Sequence, residues 1–229
     1  MKYPVVLTVG GHDAVRAGFA LAVLATWSRH AQADVAILDG GISAAFYRTL
    51  SAWPEMGFRI LGFELPKAEL QRARHMRALE IGRDLGARYV IAADDDCLPR
   101  PELDLDVAAA LMDGRPDIWL AAVDLPSCPL PHGADGAHSP PLVETGSVGG
   151  LRIFRVDAFR DFVWPAMDPR MGGRFDVTLC EAIRAAGGKV GAFGDGAPKH
   201  LRAQHLGEFV STFEWPYPLA TRYPRKWDE

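Results

Sequence analysis

The chain has 229 residues, is 48% hydrophobic and 24% charged, and carries a formal charge of -4, the make-up of one large globular domain. It lacks the basic stripe with which duplex-DNA binders neutralise phosphates, so nucleic acid is disfavoured as a partner. No apolar run reaches the roughly 20 residues of a membrane-spanning helix, and the first residues are too short for a signal-peptide core. Three cysteines without a C-x-x-C pair read as reduced packing thiols, so a cytoplasmic location is expected.

In chain order, residues 3–9 read as a buried strand that stops at Gly10-Gly11. A helix should follow, capped by Asp13, with Val15, Phe19, Ala22, Val23 and Trp27 on its apolar face and its end near His30. Residues 35–38 form a second strand closed by Asp39-Gly40-Gly41, residues 42–53 a helix, and residues 59–63 a third strand. Residues 67–85 carry Leu70, Ala73, Ala78, Ile81 and Leu85 at helical spacing, with Gly86 as the stop. Residues 89–93 are then a fully buried strand running into Asp94-Asp95-Asp96.

Beyond it come a helix at 105–113, a strand at 118–123 and a Pro-, Gly- and His-rich mobile loop at 127–141. A strand at 149–155, a helix at 176–186 and a strand at 189–193 complete the pattern, which shows no internal repeat. Strands alternating with helices argue for an α/β domain whose mostly parallel sheet is covered on both faces. Such sheets place ligands beyond the carboxyl ends of their strands. Gly10, Asp39 and the three aspartates would converge there.

In extended backbone alternate side chains share a face, so Asp94 and Asp96 point one way and Asp95 the other. Two like charges facing one ligand repel unless a cation lies between them, which points to a divalent metal; a solvated loop or helix cap is the alternative. Other aspartate-bearing motifs lack their second signature. The only Gly-Lys pair, Gly188-Lys189, precedes Val190, which rules out a P-loop. Gly10-Gly11-His12-Asp13 is no dinucleotide fingerprint, and Leu98 stands where a D-x-D-x-T phosphatase needs Thr.

Arg74-His75, followed by residues 89–101 with their Asp94-Asp95-Asp96 and proline spacing, resembles the Ala-Arg-Asn helix, strand and D-x-D motif of the family 2 type glycosyltransferases with the GT-A fold. Residues 35–41 are similar to that family's second strand, whose acid binds the nucleoside. Residues 175–180, followed by 185–190, resemble its Glu-Asp helix and next strand, and His200 looks like the histidine that many members use as a third metal ligand. The resemblance spans roughly residues 3 to 202, in the family's order. Phe175 stands where the family usually has Glu, and Thr178 where it often has a second acid.

The resemblance implies a single GT-A domain over 1–229, with a nucleotide-binding half at 1–100, an acceptor-binding half at 101–205 and a tail at 206–229. It also implies transfer of a sugar from a UDP or GDP sugar to a hydroxyl acceptor, with Mn²⁺ or Mg²⁺ as cofactor. Asp94, Asp96 and His200 would hold the metal, while Thr8, Gly10, Asp39, Arg74, Asp94 and Asp95 would bind the nucleotide. Asp176 would be the base of an inverting reaction.

Each residue has a plainer reading. Arg74, which interrupts an apolar stripe, either meets a diphosphate or Asp94 or snorkels to water. Asp39 either accepts from a nucleoside or makes a turn. Asp176 is either the base or an N-cap. Arg174, His12, His132, His138 and His205 receive no role. The aromatic and basic tail reads as a cover on the sheet edge. Alternative functions are a sugar-1-phosphate nucleotidyltransferase, a non-catalytic nucleotide-sugar or glycan binder, and, motivated by the tail alone, glycosylation of hydroxymethylated DNA bases.

Overall fold

The computed structural model describes residues 2–9, 14–39, 46, 48, 59–61, 70–100, 103–123, 140–146, 148, 150–166, 175–193, 197, 201 and 203–205. The strands are β1 (Tyr3–Val9), β2 (Ala33–Asp39), β3 (Arg59–Leu61), β4 (Tyr89–Asp94), β5 (Cys97–Pro99), β6 (Ile118–Ala122), β7 (Leu142–Glu144), β8 (Leu151–Arg155), β9 (Lys189–Phe193) and β10 (Ala203–His205). The helices are α1 (Ala14–Arg29), α2 (Leu70–Asp84), α3 (Leu105–Asp113) and α4 (Phe175–Ala185), with one 3₁₀ turn at Val156–Phe159. The Asp13 cap, most of the 42–53 helix, His12, His132, His138, Arg174 and the 206–229 tail lie outside the described residues.

Among the described residues eight strands form one sheet in the order β3-β2-β1-β4-β8-β6-β9-β7. The β1, β2, β3 and β4 pairings are parallel, as is β6 with β9, whereas β8 lies antiparallel between β4 and β6, and β7 lies antiparallel to β9. The mostly parallel α/β sheet read from the sequence is present. The reversal of β8 is new, because side-chain periodicity carries no strand direction.

Alternation along the strands sorts the core onto two faces. Val5, Leu7, Val9, Ile37, Ile91 and Ile153 pack with Ala20, Val23, Leu24 and Trp27 of α1 and with Leu105, Ala108 and Met112 of α3. Val6, Leu38, Val90, Ala92, Phe154 and Val190 pack with Ala78 and Leu79 of α2 and with Leu179 and Ile183 of α4. Helices therefore cover both faces.

Three details of the sequence reading shift. The buried stripe of α1 runs through Ala20, Val23, Leu24 and Trp27, and Ala22 is exposed. The stripe of α2 keeps Ala78 and Ile81 and adds His75, Leu79 and Gly82, while Leu85, 47% exposed, faces solvent. The shift follows from His75, a polar residue buried at a stripe position because its neighbours accommodate it. The end of the Pro-rich 127–141 segment is followed by the short edge strand β7, and residues 97–99 pair antiparallel with 203–205 in a separate ribbon.

Both α2 and α4 stop at a left-handed glycine, Gly86 (φ 62°) and Gly187 (φ 87°). In each, the next residue's N–H reaches back to the helix, Ala87 N to Gly82 O at 2.8 Å and Gly188 N to Ile183 O at 3.0 Å. This closes the last turn and aims the chain into the following strand. On the other face of the sheet Asp104 caps α3, accepting from the backbone N–H groups of Asp106 and Val107. Gln32 accepts from Leu105 N and donates to Asp104 and Asp106.

Candidate functional site

The register brings the carboxyl ends of β1, β2 and β4 level. Thr8 lies beside Leu38 and Asp94, and Val9 beside Asp39. Thr8, Asp39 and Asp94 thus share one edge of the sheet, with Thr8 half-buried. Nothing is described of the Asp39 side chain, and Gly10 and His200 lie outside the described residues.

After β4 the chain turns at Asp95-Asp96 and re-enters extended backbone at Cys97. Burial alternates as the sequence reading expects: Asp95 is 4% exposed, while Asp94 and Asp96 are more open. Ligand atoms of Asp94, Asp96 and Cys97 lie within 4.8 Å of one another. The Cys97 thiol donates to Asp96 Oδ1 at 3.7 Å. Burial, reinforced by the Asp94 and Asp96 charges, pushes its pKa well up, so it stays a thiol. Two carboxylates beside a protonated sulfur make a hard-oxygen donor pair, which fits Mg²⁺ or Mn²⁺ better than a thiophilic ion.

A third ligand at His200 is not described. The ribbon instead sets the backbone of His205 directly opposite Cys97.

Asp94 is also met from below by the chain's own cations. Arg74 Nη1 donates to its Oδ1 at 2.5 Å, and Arg152 Nη1 lies 3.5 Å from the same oxygen. Of the two readings of Arg74, the described geometry is that of a residue paired with Asp94. Part of the positive charge that an acidic cluster calls for is thus supplied by protein, with the Asp94 side chain still 25% exposed.

Arg152 continues to Asp176 in the first turn of α4, where Nη2 donates to Oδ2 at 2.8 Å. Burial works against the charged form of Arg152, but Asp94 and Asp176 outweigh it and raise its pKa. Burial would likewise raise Asp176. Arg152 first, then His75 and Arg74, override that and hold the carboxyl well below the usual carboxylate range. Asp176 Oδ1 has no hydrogen-bond partner.

His75 Nε2 lies 3.5 Å from that oxygen without an aligned hydrogen bond, its ring stacked on Phe175 and tilted against Phe154. Complete burial, aided by the two nearby guanidinium groups, depresses the His75 pKa to about 4, so the imidazole is neutral at pH 7. Two carboxylates, two guanidinium groups and a neutral imidazole therefore form one balanced cluster at the carboxyl end of β4.

The strand alternation that built the core also builds this cluster. Asp94 follows Val90 and Ala92 on one face of β4, and Arg152 shares that face with Phe154 on β8, level with Ala92. Gly150 makes room: a Cβ there would lie 2.4 Å from Cys97 Sγ and 2.9 Å from Asp94 Oδ2. Its carbonyl accepts from Asp94 N at 2.9 Å. Sequence reasoning missed Arg152 and Gly150 and read His75 within the Arg74-His75 segment without giving it a role of its own. The available signal for Arg152 was a lone cation inside the apolar run 151–154, which needs a buried partner.

No family model and no curated protein matches the chain. Solved structures do match by fold. The crystal structure of S. aureus TarS 1-349 superposes with a TM-score of 0.59 at 14% identity, covering 92% of this chain and 63% of that one. TarS 1-349 in complex with UDP-GlcNAc gives 0.59 at 14%, over 89% and 58%. The galactosyltransferase LgtC, in complex with donor and acceptor sugar analogs, gives 0.50 at 16%, over 88% and 86%. The chain has the fold of these proteins and spans less than two thirds of TarS 1-349. Among the described residues no helix is long and apolar enough to cross a membrane.

Proposed function

We propose that this protein is a metal-dependent glycosyltransferase that moves a sugar from a UDP or GDP sugar to a hydroxyl acceptor. The observation that carries the reading is the grouping of Asp94 and Asp96 within one ligand sphere at the carboxyl edge of β4, backed by Arg74 and Arg152. The fold shared with a protein solved in complex with UDP-GlcNAc and with a galactosyltransferase supports it.

In this reading Asp94 and Asp96 hold Mn²⁺ or Mg²⁺, with a histidine as further ligand: His200 by the resemblance, or His205, whose backbone pairs with Cys97. The ion's contribution is to offset charge on the departing diphosphate. Thr8, Gly10 and Asp39 receive the nucleoside at the ends of β1 and β2, whereas Asp95, expected among the nucleotide-binding residues, is 4% exposed and is left out of that set. Arg74 keeps the Asp94 carboxylate in place and adds positive charge beside the phosphates.

Asp176 takes the acceptor's proton. The acceptor oxygen bonds to the anomeric carbon, and the bond from that carbon to the phosphate oxygen breaks, its electron pair leaving with the diphosphate. The proton passes to the Asp176 carboxylate, whose side chain is 26% exposed and whose Oδ2 is held by Arg152. A carboxylate held this low is a weak base, so proton uptake accompanies bond formation instead of preceding it. Attack on the face opposite the leaving group makes the transfer inverting.

The test is titration of the protein with UDP and GDP, with and without Mn²⁺, followed by a hydrolysis screen over UDP and GDP sugars. Binding of one nucleotide should tighten at least tenfold with Mn²⁺, and Asp96→Ala should abolish that gain. Metal-independent binding, or wild-type-like behaviour of Asp96→Ala, refutes the reading.

A further inference from the structure

Arg152 is 1% exposed, in mid-strand between apolar neighbours, so its guanidinium has no route to water. The groups that face it are Asp94 from β4, Asp176 from α4, Arg74 and His75 from α2, and the Cys97 thiol. His75 is neutral and Arg74 is engaged with Asp94, so two carboxylates are the anions beside it. One arm, Nη2, is spent on Asp176 at 2.8 Å. The other, Nη1, stands 3.5 Å from Asp94 without a hydrogen bond, and Nε has no partner either. A buried guanidinium with unspent donors between two acids is a tie that has closed on one side and stays poised on the other.

We infer that Arg152 is a positioning residue that couples the donor-side carboxylate, Asp94, to the acceptor-side carboxylate, Asp176, so that neither acid is set independently of the other. Its functional half rests on the reading above; its structural half does not. When Asp94 turns toward a bound ligand, the bridging cation is left to Asp176 alone and fixes that carboxylate more tightly. The planar fork is what permits this, since its two Nη arms are held apart and face different carboxylates, a spread that a compact ammonium does not reproduce.

The structural half is tested by urea unfolding of wild type, Asp94→Asn, Asp176→Asn and the double variant. Either single change leaves the guanidinium one carboxylate, whereas the double leaves it none. The double should therefore lower the unfolding midpoint by more than the summed single shifts. In an Arg152→Met background the excess should vanish. Additive shifts overturn the coupling, and this cycle stands even where Arg152→Met alone fails to fold.

The functional half uses donor hydrolysis by Arg152→Met and Arg152→Lys. Both should lose at least tenfold in kcat and raise the donor KM. Adding Asp176→Asn to Arg152→Met should cost less than threefold more, because the carboxylate has already lost its anchor. Full activity in the Lys variant, or an undiminished further loss on adding Asp176→Asn, overturns the inference. If wild type binds no nucleotide yet the unfolding shifts are non-additive, the proposed function falls and the coupling survives.

Discussion

Replacing Gly150 by alanine tests the packing under the aspartates with a single methyl group. The new Cβ would lie 2.4 Å from Cys97 Sγ and 2.9 Å from Asp94 Oδ2, against comfortable separations of about 3.5–4.0 Å. Neither neighbour can retreat freely. Cys97 is fully buried in a strand paired with β10, and Asp94 is held by Arg74 at 2.5 Å and by its own N–H to Gly150 O. Overpacking of this kind costs about 1–3 kcal/mol, which in a domain of this size lowers Tm by roughly 2–12 °C. Differential scanning calorimetry reads the loss directly. Adding Cys97→Ala removes the tighter contact and should recover more than half of it, while Mn²⁺-dependent UDP affinity stays impaired because the Asp94 contact remains. An unchanged Tm for Gly150→Ala, or no recovery in the double variant, would refute the reasoning.

Acid should weaken the fold through His75. Its folded pKa of about 4 lies below the ordinary 6.5, so the unfolded chain takes up a proton that the fold refuses. The full stability is present above pH 6.5, drains between 6.5 and 4 by at most about 3 kcal/mol, and levels off below. His75→Gln should flatten that segment of a urea-midpoint curve against pH. The depressed pKa of Asp176 adds a second loss, confined to pH below the ordinary carboxyl value of 3.8, and Asp176→Asn should remove it. On the other face of the sheet, Asp104→Ala should cost about 1 kcal/mol through the lost cap of α3, with nucleotide affinity unchanged in the same calorimeter.

Where a segment's burial is uniform, the residues announce it. The apolar runs of β1 and β9 and the helix read at 105–113 match their observed bounds, because one face or both must be dry for such runs to persist. Asp94 and Asp96 were legible as a pair for the same reason, strand alternation carried into the turn. His75 was not, since a histidine at a stripe position looks like an interruption until Phe154 and Phe175 are seen to enclose it. Arg152 stood in an apolar run whose partner acids lie 58 positions before it and 24 after it, a separation that only the reversed strand closes. The ribbon of residues 97–99 and 203–205 offers three residues a side, too few for any periodicity to register.

Because β8 enters the sheet against the direction of β4 and β6, the connection from Ala122 to Leu151 leaves and returns at the same rim. Among its described residues, Leu142–Glu144 form β7, the edge strand that runs antiparallel along β9. Lengthening, shortening or exchanging that excursion leaves the strand ladder between β1 and β9 intact. One scaffold can in this way be refitted with differently shaped mouths, each served by the same charged floor.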